Sequence, residues 1–342
     1  MTIKLQPGIP PDGNRHVWVP PVAASRATPA EVAVNAPASS VWAPPLGNGG
    51  LSARGALGAG AREPARVTRP IASRRWQRQL AVYLDAGSGW DTGCVRKESP
   101  NEDSLITVQG TCLYNERLQT FGLFIVADGM GGHAYGQDAS YLAIQTILQS
   151  VLGSIAGSDS MSDELLPEVL CDAVREANLV IYRRGREAGN DMGTTITAAL
   201  VLDTTAYIVN VGDSRTYLYR EGEGLAQITR DHSVVARLVE TGVIAPEEVY
   251  DHPNRNQVYR GLGSSARVEV DWFKCDLQVD DRLLLCSDGL WEMVRDREIA
   301  RILKQTDSKP AQMSQQLIQA ALRGGGLDNI SVIVVHVAPV VG

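Results

Sequence analysis

Four stretches of the chain are apolar at nearly every position: Phe121 to Ala127, Tyr207 to Val211, Leu283 to Cys286 and Ile330 to Val337. Short runs of this kind, rich in Val, Ile and Leu, predict strands buried on both faces. Further strands are expected over Leu80 to Ala86, Ser104 to Gln109, Thr194 to Leu202 and Val268 to Asp276. Thr216 to Arg220 and Leu225 to Thr229 read as a hairpin around Glu221-Gly222-Glu223-Gly224. Between the strands the period changes. Ala139, Leu142, Ala143, Ile147 and Val151 recur at helical spacing and predict a helix over 137–152. Leu166, Leu170, Val174, Ala177 and Ile181 predict a second one over 163–187. Shorter helices are expected at 231–240, 296–305 and 311–322. The order is strands, two long helices, many strands, two helices and a strand. It predicts an α+β architecture of sheets packed between helices, not a regular βαβ alternation. No internal repeat is visible.

Residues 1–79 stand apart. They hold eleven of the 17 prolines and lack useful periodicity, so disorder is expected there, with a folded domain over 80–342. This segment carries ten Lys or Arg against three Asp or Glu, whereas the whole chain has a net charge of −7. The charge gives no reason to expect nucleic-acid binding. The five cysteines include no C-x-x-C pair and fit a reducing, cytoplasmic location, with Cys275 and Cys286 as core residues. No apolar run reads as long enough to span a bilayer, so no membrane association is expected.

Candidate chemistry lies at the strand ends. Asp128 closes the run Phe121 to Ala127 and is followed by Gly129, Gly131 and Gly132. Alone it reads equally as a turn cap. The same pattern, an apolar run beside an acidic residue and Gly or Asn, recurs at Asp213, at Asp288 and at Asp328-Asn329. Asn101-Glu102-Asp103 adds a fifth acidic cluster. Carboxylates converging from separate strand ends point to a hard cation held by oxygen ligands.

N-E-D-S at 101–104, V-A-D-G-M-G-G-H at 126–133, M-G-T-T at 192–195, V-G-D-S-R at 211–215, C-S-D-G-L-W-E at 286–292 and D-N-I-S-V-I at 328–333 occur in that order. Together they resemble the metal-dependent serine/threonine protein phosphatases of type 2C, in their bacterial form, from about Leu80 to Val337. The resemblance implies a four-layer α-β-β-α sandwich with the metal cleft at one end. It implies two Mg²⁺ or Mn²⁺ ions. Asp128 would bridge them and the Gly129 carbonyl would hold the second. Asp288 and Asp328 would complete the first, and Glu102 would hold the second through water, supported by Asp103. Asp213 would serve a third, weaker ion found in bacterial members. Two such ions about 3.5–4 Å apart acidify a shared water, which attacks phosphorus in line. The implied partners are phosphoserine and phosphothreonine proteins and a cognate kinase, with the phosphatase acting as a monomer.

This sequence departs from the family pattern twice. Arg96, the candidate phosphate-binding arginine, stands six residues before Glu102 where four is usual, through an apparent insertion containing Pro100. Met130 follows Asp128-Gly129 where animal members place a histidine general acid. His133 and His232 are candidate replacements and equally candidate structural residues. The segment 231–263 resembles the bacterial flap beside the active site, in which Arg255 and Arg260 meet either phosphopeptide or a salt-bridge partner. Two rivals remain open. Gly129-x-Gly131-x-x-Ala134 fits a loose dinucleotide fingerprint, against which stand the charge of Asp128 and two intervening helices. A phosphatase fold acting only as a scaffold or sensor is the other. The presence of all five metal carboxylates opposes it, and the displaced Arg96 favours it.

Overall fold

The computed structural model describes residues 6–7, 82–114, 117–130, 134–157 and 163–340. The expectation of disorder over 1–79 therefore lies outside the described residues except at Gln6–Pro7. These two (β1) pair antiparallel with Lys274 and Phe273.

Two antiparallel sheets stack face to face. The first contains β3 (Ser104–Tyr114), β4 (Arg117–Ala127), β7 (Ile196–Leu202), β8 (Thr205–Val211) and β11 (Asp271–Asp276), in the order β1-β11-β8-β7-β4-β3. The second contains β2 (Val82–Asp91), β9 (Arg215–Arg220), β10 (Gly224–Gln227), β12 (Arg282–Cys286) and β13 (Ile330–Pro339), in the order β10-β9-β12-β13-β2. A third, two-stranded sheet joins β5 (Gly129–Met130) to β6 (Gly193–Thr194).

Period-two geometry explains the continuous apolar runs. In β4, Phe124 and Val126 point between the sheets, while Leu123, Ile125 and Ala127 point outward to α1 (Ala134–Gly157) and α2 (Leu166–Ala188). In β12, Leu283 and Leu285 point between the sheets. Leu284 and Cys286 point toward α5 (Asp296–Leu303) and α6 (Pro310–Arg323). Both faces of each strand are thus covered, and the layers run helix, sheet, sheet, helix. Each fully buried Leu, Ile or Phe contributes about 1.5–3 kcal/mol.

Element positions follow the sequence pattern closely, but their limits move. β2 extends to Asp91, because it pairs along its whole length with β13 from Val82↔Pro339 to Asp91↔Ile330. β3 and β4 likewise lengthen into an eleven-pair ladder. The helix expected from Asp231 begins only at α3 (Val234–Glu240), capped by the Ser233 hydroxyl, which accepts from the Ala236 N–H. A 3₁₀ turn at Pro246–Asp251 follows it in the segment resembling the flap. The single turn α4 (Asp288–Trp291) has no periodic signature in the sequence.

One expectation needs correction. Within α1, Tyr135–Ala156 is long and apolar enough to cross a membrane by length and composition. Its inward residues Ala139, Ala143, Ile147 and Val151 are fully buried in the cluster shared with α2 and the first sheet. A core helix covered on one face passes the same test as a membrane span.

Candidate metal centre

Asp128 leaves β4 at the end of the sandwich and is held from both sides. Its N–H donates to Thr195 Oγ1 at 3.1 Å. Its carbonyl accepts from the Thr195 N–H and the Thr194 hydroxyl, each at 2.8 Å. The buried Thr195 Oγ1 also lies 2.7 Å from Ser214 Oγ, so one hydroxyl pair braces the Asp128 loop to the Asp213 loop. Gly129 is required by close approach: a Cβ there would lie 2.2 Å from the Gly136 carbonyl oxygen and 2.5 Å from that of Glu102. The same crowding brings Glu102 to the cleft, where the Gly129 N–H and the Ser140 hydroxyl donate to its carbonyl.

The C-terminal acidic pair is seated by Asn329. Its Oδ1 accepts from the Glu102 N–H at 2.8 Å and its Nδ2 donates to the Thr92 carbonyl at 3.1 Å. Asp328 Oδ1 accepts from the Asn329 N–H and pairs with Arg96 Nη1 at 2.8 Å. Arg96 is therefore at the site despite its altered spacing. Its side chain remains 40% exposed. Asp103 Oδ2 accepts from Ser287 Oγ at 2.7 Å, beside Asp288. Asp213 follows Gly212, whose φ of 108° suits glycine alone, and its carbonyl accepts from Trp291 Nε1 at 2.9 Å.

The carboxylates share one electrostatic neighbourhood. Burial, then the charges of Asp103, Asp288, Asp328 and Asp213, push Asp128 well above the usual carboxylate range. Asp213 is raised by burial, then by Asp288, Asp231 and Glu292. Burial raises Asp288 to about 7, with Glu292 and Asp103 adding to it. Asp328 is raised to about 7 by burial and Asp288, against the pull of Arg96. Asp103 rises to about 6, chiefly through burial, with Ser287 and Ser331 opposing.

Three buried carboxylate oxygens, Asp103 Oδ1, Asp288 Oδ1 and Glu292 Oε1, receive no hydrogen bond from the protein. Among the described residues, no three His, Cys, Asp or Glu side chains close to metal-binding spacing as they stand. The donor chemistry nonetheless fits a hard divalent cation. The donors are all oxygens, the carboxylates repel one another, and the Asp103 and Asp288 oxygens left without a protein donor are buried.

Several supporting residues were not assigned roles from sequence. Glu292 and Asn329 lie inside motifs already noted, so their proximity was the available signal. Arg255 and Arg260 turn to carboxylates. Arg255 Nε meets Glu292 Oε2 at 3.3 Å, and Arg260 pairs with Asp271 and Glu269 at 2.7 and 3.0 Å. His232 is 3% exposed. Its Nδ1 accepts from the Gly212 N–H at 3.0 Å and its Nε2 faces Asp271 at 3.2 Å. Next to it, Asp231 and Arg215 form a buried ion pair, and the guanidinium stacks 3.6 Å from the Trp291 ring centre. His133 lies outside the described residues.

The sequence matches the protein family described as Protein phosphatase 2C over residues 91–323. The serine/threonine phosphatase stp of Listeria monocytogenes is 39% identical over 216 residues, which are 63% of this chain and 84% of that protein. The serine/threonine protein phosphatase PstP of Mycobacterium tuberculosis is 40% identical over 217 residues, 63% of this chain and 40% of that longer protein. A crystal structure of the M. tuberculosis phosphatase is similar with a TM-score of 0.64 at 37% identity, covering 75% of this chain and 99% of that one. The PstP catalytic domain in complex with two manganese ions is similar with a TM-score of 0.62 at 37% identity, over the same shares.

Proposed function

The chain belongs to the protein phosphatase 2C family, and we propose that the cleft around Asp128 is where it hydrolyses phosphoserine and phosphothreonine esters of proteins. It is a metal-dependent serine/threonine protein phosphatase that uses Mg²⁺ or Mn²⁺. Asp128 and the Gly129 carbonyl, with Asp288 and Asp328, are the groups that would hold two ions; Glu102 would serve the second and Asp213 a further one. When bound, such cations neutralise phosphate charge and acidify water in the cleft.

The protein's own part is positioning. Thr194 and Thr195 fix the Asp128 backbone, Asn329 fixes Glu102, and Ser287 orients Asp103. Arg96 is partly exposed beside Asp328 and offers the fork that suits phosphate oxygens. Hydrolysis forms a bond from a water oxygen to phosphorus and breaks the bond to the Ser or Thr oxygen, which leaves with a proton. His232 does not supply that proton, because it is buried and both ring nitrogens face protein partners. The five free cysteines support a reducing, cytoplasmic location, and the substrate class supports an opposing kinase.

The observation that carries this reading is the hydrogen-bonded frame that seats the acidic strand ends together: Thr195 and Ser214 join the Asp128 and Asp213 loops, Asn329 joins Asp328 to Glu102, and Ser287 joins Asp288's turn to Asp103. Its test is phosphate release from a phosphothreonine peptide with and without Mn²⁺. Turnover should require the metal and fall by roughly 10²-fold or more in Asp288→Asn. Metal-independent turnover, or an active Asp288→Asn, would contradict it.

A further inference from the structure

Beyond Asp128 the chain builds a small cavity that the hydrolytic chemistry does not use. Gly129–Met130 pairs with Gly193–Thr194, and Thr194 pairs with Leu262 through two backbone hydrogen bonds of 3.2 and 2.8 Å. These three short segments lie side by side. They border a cavity of about 40 Å³ whose apolar lining includes Met130, Met192, Val258, Tyr259 and Leu262. Glycines keep it open, since a Cβ on Gly261 would meet the Met130 methyl at 2.5 Å. Exposed Asp191 contributes polar lining. The segment resembling the flap supplies Val258 and Tyr259, and the segment that continues from Asp128 supplies Met130.

We propose that this cavity receives the side chain two positions from the phosphorylated Ser or Thr and selects a small apolar residue there. The inference rests on the assignment of the Asp128 cleft as the phosphatase site. Its geometry follows from chain spacing. An extended peptide points residues i and i+2 to the same face, about 7 Å apart. Met130 follows Asp128 by two residues, and Thr194, whose hydroxyl holds the Asp128 carbonyl, pairs with the lining residue Leu262, so the cavity adjoins the Asp128 loop. Its size sets the class of occupant. At about 40 Å³ the cavity is small, which suits a methyl or isopropyl group better than an aromatic ring. Its lining favours contact with an apolar group: Met130, Met192, Val258 and Leu262 present thioether and aliphatic surface, with Asp191, Tyr259 and Ser264 as the polar groups beside it.

The test compares Mn²⁺-dependent kcat/KM for phosphothreonine peptides carrying Gly, Val or Phe two positions before or after the phosphoresidue. p-Nitrophenyl phosphate, which has no such side chain, is the reference. On one of the two sides Val should exceed both Gly and Phe by roughly tenfold. Met130→Ala enlarges the cavity and should move the preference toward Phe without changing turnover of the reference. Val258→Phe fills it and should abolish the preference. A gain for the larger side chain is not an effect of damaged folding. Equal turnover of all peptides, or an order of preference unchanged in Met130→Ala and Val258→Phe, would overturn the cavity assignment while leaving the phosphatase site standing. Failure of the wild type to hydrolyse the reference and every peptide would overturn both.

Discussion

Ser287 shows how one hydroxyl serves two masters at the cleft. It donates to Asp103 Oδ2 and accepts from the Ser331 N–H at 2.9 Å. Ser287→Ala should raise the Mn²⁺ concentration needed for half-maximal turnover by roughly 10–100-fold while turnover at saturating metal largely recovers. A metal titration of initial rates checks this. His232 acts similarly on the other side. His232→Ala strips the buried Gly212 N–H of its acceptor and should cost about 1–3 kcal/mol of unfolding free energy. His232→Asn places an amide oxygen within reach of that N–H and should restore part of the loss in a denaturant titration. At this scale the sequence was informative where an acidic residue closed an apolar run, as at Asp128 and Asp288. It placed Thr195 and Ser214 inside motifs without a partner and left His232 open between a catalytic and a structural role, because nothing in a polar residue's neighbours tells which hydroxyl or ring a distant loop will meet. Arg96 stayed the candidate despite its altered spacing, and the 92–100 loop, whose Ser99 N–H donates to the Arg96 carbonyl, brings its guanidinium to Asp328.

Elements were legible where burial imposed a period. β4, β12 and β13 are covered on both faces, so they had to be apolar throughout, and their runs located them. α4 and the β5–β6 pair were invisible, since one turn of helix and two-residue strands leave too few positions to show a period. Yet β5 and α4 carry Gly129 and Asp288, two of the proposed metal ligands. The close approach of Gly129 to Gly136 and Glu102 tolerates no side chain. Gly129→Ala drives a methyl into two backbone carbonyls that no side-chain rotation can move. It should destabilise the domain by about 1–3 kcal/mol or more, and turnover should fall with it. Thermal denaturation beside activity would detect both. Gly110 offers the contrast: a Cβ there meets nothing within 4 Å, so Gly110→Ala should leave both unchanged.

For the molecule as a whole, the proposed metal cleft links pH to stability. Burial, with neighbouring carboxylates adding to it, pushes Asp103 up to about 6 and Asp288 and Asp328 up to about 7, all above the ordinary carboxylate range. The folded chain therefore holds these protons more tightly than the unfolded chain. Their contribution to stability is complete below about pH 4 and is lost as pH rises through 6 to 7. Melting in EDTA should accordingly give a lower midpoint at pH 8 than at pH 6, other groups being equal, and Mn²⁺ should raise the midpoint more at pH 8. A metal-induced shift that shrank as pH rose would contradict this. The layered fold itself was readable from element order, but the pairing of β2 with β13 was not, because register between strands so distant leaves no local mark. That pairing also governs how the protein comes to exist. Thr92 and Asn329, the hydrogen-bonded pair that seats Glu102, stand at one end of a ladder whose strands are joined through nearly all the rest of the domain. Loop closure over such a span is slow, whereas α1 and α2 form from neighbours. In refolding from denaturant, helical dichroism should return ahead of Mn²⁺-dependent turnover, making the acquisition of catalysis a late event on the folding pathway.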